Sequence, residues 1–247
     1  MRTIVNHWFV WCGNNAKGEQ DFTAQARIER LYGIGMDINY AHYDNNSSQQ
    51  RFLGPLGEQQ GNYAGTGLPM KFGDVNGKTL DIYQHHNNVY DQQYMENKDS
   101  LGFFNAFKGI MDRSINNEVY SYISVKCHND EYFFSKVPLS KMLDYAAARN
   151  IPVWAPQKLL DFLIAKDNAK FNNIKWAGNK LSFSISSDFQ HASKLSVTVP
   201  YTFNGQQLKS LNDGGSVVNH SVRTIKGEQY AMFLVEPGAT HHIEATY

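Results

Sequence analysis

Cysteine is almost missing from this sequence, which holds only Cys12 and Cys127. Two thiols make neither a disulfide framework nor a cysteine-based metal motif. They read as free or buried thiols. A single bridge would suit an exported protein, but it requires Cα atoms within roughly 7 Å of each other. Excess charge is missing too: Lys+Arg and Asp+Glu both number 23, for a formal net charge of zero. That balance argues against a general electrostatic grip on nucleic acid or anionic lipid. No apolar run approaches the roughly 18 residues a membrane helix needs. The opening MRTIVNHWFVWCGNN is no signal peptide, because Asn6 and His7 interrupt its apolar run and no small-residue cleavage site follows. HExxH, a Cys/His zinc knuckle, a Walker loop and a GxSxG elbow are all absent. Gly33-Ile34-Gly35 is a helix cap followed by a strand rather than a nucleotide motif. There is no solenoid repeat or low-complexity tract.

What is present is core material, with 42% hydrophobic and 13% aromatic residues. Up to about residue 165, strand-like and helix-like segments alternate. IVNHWFVW (4–11) and GMDINY are strand-like. Between them DFTAQARIERLYG (21–33) is helical, with Phe22, Ala26, Ile28 and Leu31 over little more than one face and Gly33 as C-cap. A loop rich in Asn, Gln, Ser and Gly runs from 44 to about 67, long enough to suggest a function. Asn76-Gly77 between two alternating runs predicts a hairpin. Residues 100–118 read as a helix and YSYISVKCHND (120–130) as a strand with a polar end. LSKMLDYAAARN (139–150) reads as a helix capped by Ser140, IPVWA (151–155) as a strand and PQKLLDFLIAK (156–166) as a helix opened by Pro156. Such alternation implies parallel strands in an open α/β sheet or a barrel. After residue 170 short β-type runs separated by Gly, Asn and Asp turns predict a small antiparallel sandwich. The division is therefore 1–170 and 171–247, with the boundary near Asn172-Asn173.

Five of the nine histidines lie in the first part, and all five sit in or just past a strand: His7, His42, His85, His86 and His128. Ligands of α/β sheets and barrels bind at the C-terminal ends of strands. His42, His85, His86 and His128 are thus expected at one mouth, with Asp37, Asn39, Tyr40, Asp81, Tyr83, Gln84 and Asp130. The cluster is polar and aromatic rather than basic. Trp8, Trp11, Tyr40, Tyr43 and Tyr83 offer flat faces for pyranose rings, or else ordinary barrel packing. Adjacent pairs such as His85-His86 and His241-His242 point to opposite faces of a strand, so neither chelates by itself.

NHWFVWCG (6–13), GIGMDINYAHYD (33–44), GTGLPMKFGDVNGKTLDIYQ (65–84), the strand ending in His128 and DYAAARNIPVWAPQKLLDFL (144–163) together resemble the polysaccharide deacetylase-like superfamily. The likeness is to the carbohydrate esterase family 4 type of incomplete (β/α) barrel, in its secreted bacterial branch with a C-terminal β-domain. It covers about residues 1–165. The resemblance implies an extracellular or cell-envelope protein and a zinc-like divalent metal held by an Asp and two His. It also implies a second Asp as base and a late-strand His that protonates the leaving group. VKCHND resembles the late-strand motif and makes His128 the candidate general acid. The Asp-Asp pair and H-x-x-x-H that would supply the metal triad and base do not occur, and the family's Arg motif has only Arg2 to match. No metal is therefore expected in this chain alone.

The chain is expected to be the second half of a catalytic barrel with its β-domain, or a degenerate relative that binds sugar without hydrolysing it. Its expected site comprises His128 and Asp37 as catalytic groups. Trp8, Trp11, Asn39, Tyr40, His42, Asp81, Tyr83, Gln84 and His85 are expected to hold a polysaccharide. Three functions stay open: a metal-dependent deacetylase, a non-catalytic carbohydrate-binding protein, and a glycoside hydrolase or lyase. The last would need two carboxyl groups, such as Asp37 and Asp81, about 5–10 Å apart.

Overall fold

The computed structural model describes residues 2–6, 11–40, 42–43, 52–53, 58–59, 62–63, 67–95, 97–116, 122–188 and 193–247. Of residues 40, 42–43, 52–53, 58–59, 62–63 and 93 it describes the backbone alone. Two units result, Met1–Pro156 and Gln157–Tyr247.

In the first unit β1 (Thr3–Ile4) is followed by α1 (Ala24–Leu31) and β2 (Met36–Tyr40). Two short antiparallel pairs come next, β3 (His42–Tyr43) with β4 (Phe52–Leu53) and β5 (Glu58–Gln59) with β6 (Asn62–Tyr63). Then come β7 (Met70–Gly73), β8 (Thr79–His86), β9 (Val89–Tyr90), α2 (Gln92–Met95), α3 (Ser100–Asn116), β10 (Val125–Lys126) and α4 (Tyr132–Ala147). One sheet has the order β1-β2-β8-β7, parallel from β1 to β8, with β7 returning antiparallel. β9 pairs parallel with β10. The β7–β8 hairpin turns where Asn76-Gly77 predicts it, with Gly77 at φ 77° and its N–H donating to Asp74 O at 2.9 Å. The architecture mixes helices with several sheets, and the described strands close no barrel.

Helix α3 buries Phe103, Ala106, Phe107, Ile110 and Met111, an i, i+3, i+4, i+7, i+8 stripe that fixes its inward face. Val89, Met142 and Ala146 complete that core, and Val125 and Cys127 pack against it. A second core joins Ala26 of α1 to Ile34, Phe72 and Ile82.

Three local readings are corrected. The helix expected over 139–150 starts at Tyr132 and contains Pro138, so Ser140 lies inside it rather than capping it. Pro138 is buried there, and one missing N–H is tolerated where the ring fills the core. Residues 151–155 form no strand, consistent with Pro152 having no N–H to give a ladder. In α1 the expected apolar face is mostly outside. Phe22, Ile28 and Leu31 are exposed, and the helix turns Ala26 and Glu29 inward instead.

Gly67 fixes a close approach. It has φ +57°, and a Cβ there would meet Tyr122 O at 2.2 Å and Asn88 Oδ1 at 2.9 Å. Gly67→Ala is expected to cost about 2–4 kcal/mol, the left-handed penalty plus overpacking. Urea denaturation reads this as a lower midpoint, and an unchanged midpoint would refute the contact.

The second unit carries α5 (Pro156–Asp167), then β11 (Lys170–Ala177), β12 (Lys180–Ser186), β13 (Leu195–Pro200), β14 (Thr202–Phe203), β15 (Gln206–Gln207), β16 (Ser210–Asp213), β17 (Ser216–Val217), β18 (Ser221–Ile225), β19 (Glu228–Val235) and β20 (Thr240–Thr246). Its sheets are antiparallel, in the orders β11-β12-β20-β16-β17 and β13-β19-β18, with β14–β15 a separate ribbon. Alternate residues Leu195, Val197 and Val199 are buried, the signature of a sheet with one inner face. Asn172-Asn173, read from sequence as the boundary, lies within β11. There Asn173 and Ile174 together oppose Phe183, a β-bulge with Asn173 at φ 54°.

Candidate functional site

The strongest polar constellation lies where β9 and β10 end side by side. Val89 pairs with Val125 and Tyr90 with Lys126, so the next residues along, Asp91 and Cys127, arrive together. Val125 and Cys127 pack toward α3 and α4, which turns Lys126 to the opposite face of the strand. Asp91 is fully buried. Its Oδ2 accepts from the backbone N–H of His128 at 2.6 Å and from Ser135 Oγ at 2.8 Å. Its Oδ1 lies 2.6 Å from His128 Nδ1. A carboxylate at that distance fixes the hydrogen on Nδ1, so proton exchange with any ligand falls to Nε2. The His128 side chain is 18% exposed, held but reachable. Around the pair, burial lowers the Lys126 pKa against the pull of Asp91. Burial, and then the Asp91 charge, push the Cys127 thiol up to about 11, so it stays protonated. Cys12 and Cys127 are both free thiols.

Asp37 stands elsewhere. Its register partner on β8 is Gln84, and its carboxyl meets Glu29 of α1, which puts Asp37 and Gln84 on the α1 side of the sheet. Asn39 donates to Asp37 Oδ1 through its backbone N–H at 2.9 Å and to Oδ2 through its side-chain amide. Asn39 in turn accepts from the Asn6 N–H. Gln25 donates to Glu29 Oε1 at 2.7 Å, and the Glu29 carboxyl faces that of Asp37. One acid of this buried pair therefore keeps its proton. Burial first, and then the Glu29 charge, raise Asp37 to about 7, and burial raises Glu29 as well.

Of the other expected residues, Tyr83 and His85 are buried on β8. Tyr83 pairs with Met36 on the face away from α1, and His85 follows two residues later on the same face. Burial lowers the His85 pKa to about 4, against a hydrogen bond with the Gly67 backbone. Trp11 stacks on Phe72 at 5.4 Å and donates from Nε1 to Phe22 O at 2.9 Å, which is packing. Asp81 is largely exposed and pairs with Arg30 and Lys71 rather than with His128. Trp8 lies outside the described residues, and for Tyr40 and His42 the backbone alone is described.

Sequence reasoning missed Asp91, Ser135 and the Glu29 partner of Asp37. The carboxylate beside His128 is Asp91. The signal was available in HHNNVYD: carrying the strand past His86 to Tyr90 puts Asp91 at the mouth. The polar run that hid it is buried and bonded, with Ser124 N–H donating to Asn88 Oδ1 at 2.9 Å and Ser124 Oγ to Asn87 Oδ1 at 3.2 Å.

Among the described residues the donor set does not fit a metal. No three of their His, Cys, Asp or Glu side chains converge to hold an ion, whereas a catalytic zinc takes three protein ligands. Nor is any helix among them long and apolar enough to cross a membrane. Comparison with protein-family models, with curated proteins and with solved structures gives no match.

Proposed function

We propose that the chain is the proton-donating part of a carbohydrate-active hydrolase that removes acetyl groups from a polysaccharide. The observation that carries this reading is the Asp91–His128 pair, an imidazole anchored at Nδ1 by a buried carboxylate at the end of a strand. When a tetrahedral intermediate collapses, the departing nitrogen or oxygen must gain a proton, and an imidazolium Nε2–H supplies it near neutral pH. Asp91 keeps the ring oriented, while Ser135 and the His128 backbone keep Asp91 in place. Tyr83 and Lys126 both face away from the helices packed on their strands, the side on which a barrel would receive a glycan. The finer architecture is read as part of an incomplete barrel followed by a sandwich. The run of β1, β2 and β8, parallel neighbours in chain order, supports it, as do the parallel β9 and β10. Water activation falls to residues outside this chain, and such a protein would work outside the cell or at its envelope.

Product analysis tests the reading. The protein as its gene encodes it, given glycol chitin or acetylated xylan, is expected to release acetate without creating reducing ends. New reducing ends would make it a glycoside hydrolase. Retention of the polymer with neither product would make it a binding protein.

A further inference from the structure

The second unit has a side-chain cluster of its own, built at one end of the β11–β12 hairpin. Trp176 stacks on Phe203 with centroids 3.9 Å apart and planes at 26°. Buried Tyr247 backs both rings at 5.6 and 5.8 Å, and its hydroxyl is tied to Pro200 O at 2.8 Å. Trp176 nonetheless remains 42% exposed. The indole is therefore stiffened from one side and open to solvent on the rest of its surface.

The rim of this ring is polar in a particular way. Gln206 is the cross-strand partner of Phe203 in the β14–β15 ribbon, so the two side chains leave the ribbon on the same face. Gln206 Oε1 accepts from Asn179 Nδ2 at 3.1 Å and from Lys209 Nζ at 3.5 Å, and Asn179 Nδ2 also donates to Tyr247 O at 3.0 Å. These bonds orient the three side chains yet leave Asn179 Oδ1, the Gln206 amide hydrogens and the other Lys209 hydrogens unspent among the described residues. All three residues are exposed. A fixed aromatic face bordered by oriented amides and one ammonium is chemistry for a hydroxyl-rich ring. The electron-rich face meets the sugar's C–H groups, and the amides exchange hydrogen bonds with its hydroxyls or acetamido groups.

We propose that Trp176, with Asn179, Gln206 and Lys209, forms a polysaccharide-binding platform on the β unit, separate from the Asp91–His128 site. Its choice of ligand class rests on the function proposed above, but its binding is independent of any hydrolysis. A platform of this kind keeps a polymer beside the enzyme without taking part in bond breaking.

Affinity electrophoresis of the whole chain in gels containing glycol chitin or acetylated xylan tests it. The expected result is retardation in at least one gel, weakened about tenfold or more by Trp176→Ala, since a central tryptophan commonly carries this much of a contact. Gln206→Ala is expected to weaken it severalfold, and Val217→Ala, at an exposed position of the same unit, to leave it unchanged. If Trp176→Ala does not fold, the Gln206→Ala/Lys209→Ala double variant decides by the same measure. No retardation in either gel, or retardation indifferent to these substitutions, overturns the platform. Self-association lost in Trp176→Ala, without glycan binding, would instead assign the face to a second copy. Failure of acetate release with binding intact would remove the proposed hydrolysis and leave the platform standing.

Discussion

His128→Ala is expected to lower kcat for acetate release by about 10²–10⁴, or roughly 3–5 kcal/mol of barrier, with KM nearly unchanged. The loss should fall on kcat because a general acid acts on the departing atom and not on the bound ground state. The companion variant is Asp91→Asn. Replacing the buried carboxylate 2.6 Å from Nδ1 with an amide loses the acceptor that fixes the ring's tautomer and orientation. A fall in kcat with KM nearly unchanged is then expected here too. Steady-state kinetics, with melting curves for both variants, separates this role from a structural one. A fall in rate of less than tenfold, together with a lowered melting temperature, would reduce His128 to a strand cap.

Asp37 and His85 are expected to pull the stability of the first unit in opposite directions between about pH 4 and 6.5, and each of two substitutions is expected to remove one of these pulls. Asp37 is raised from 3.8 to about 7. Between those values the folded chain holds a proton that the unfolded chain has released, so stability falls as pH rises. The change is on the order of 4 kcal/mol over the whole window. The raised Glu29 adds in the same direction. His85 is lowered from 6.5 to about 4, so in that window the unfolded chain takes up a proton that the folded chain refuses. Stability from this group falls as pH falls, by on the order of 3 kcal/mol. The slopes oppose each other where they overlap. Asp37→Asn should therefore make stability climb from pH 4 to 6.5, whereas His85→Phe should make it decline from pH 4 to 7. Urea titrations at four pH values would show this. Identical slopes in all three proteins would mean that neither group is held as described.

What could be read from the residues followed the local physics. The α3 helix and the Asn76-Gly77 turn are set by spacing and backbone chemistry within a few residues, and both appear where expected. The tertiary pairings were not legible in the same way. Phe22, Ile28 and Leu31 make α1 look as though it packs on them, yet its orientation follows Ala26 and the Glu29 contact with Asp37. The helix read from residue 139 begins at Tyr132 instead, since a proline that fits the core, here Pro138, can stay inside a helix. At the site, His128 stood out because a strand ended there. Its carboxylate partner lay beyond four consecutive polar residues, His85 to Asn88, that look like a loop and are buried. The β9–β10 register brings Asp91 and His128 together across 37 positions of sequence, a distance no local pattern spans.

The bulge at Asn173 and Ile174 bears on the behaviour of the molecule when it is concentrated. β11 borders its sheet and is exposed along its whole length, with Phe171, Ile174 and Trp176 among its residues. A straight apolar border of that kind is a template on which a second chain can add a strand, and then a third, toward a fibre. Two residues set against one break the border into two short pieces and twist one against the other. An incoming strand can match either piece but not both in register. The left-handed asparagine thus acts as a guard against polymerisation, placed where the ladder would otherwise be longest.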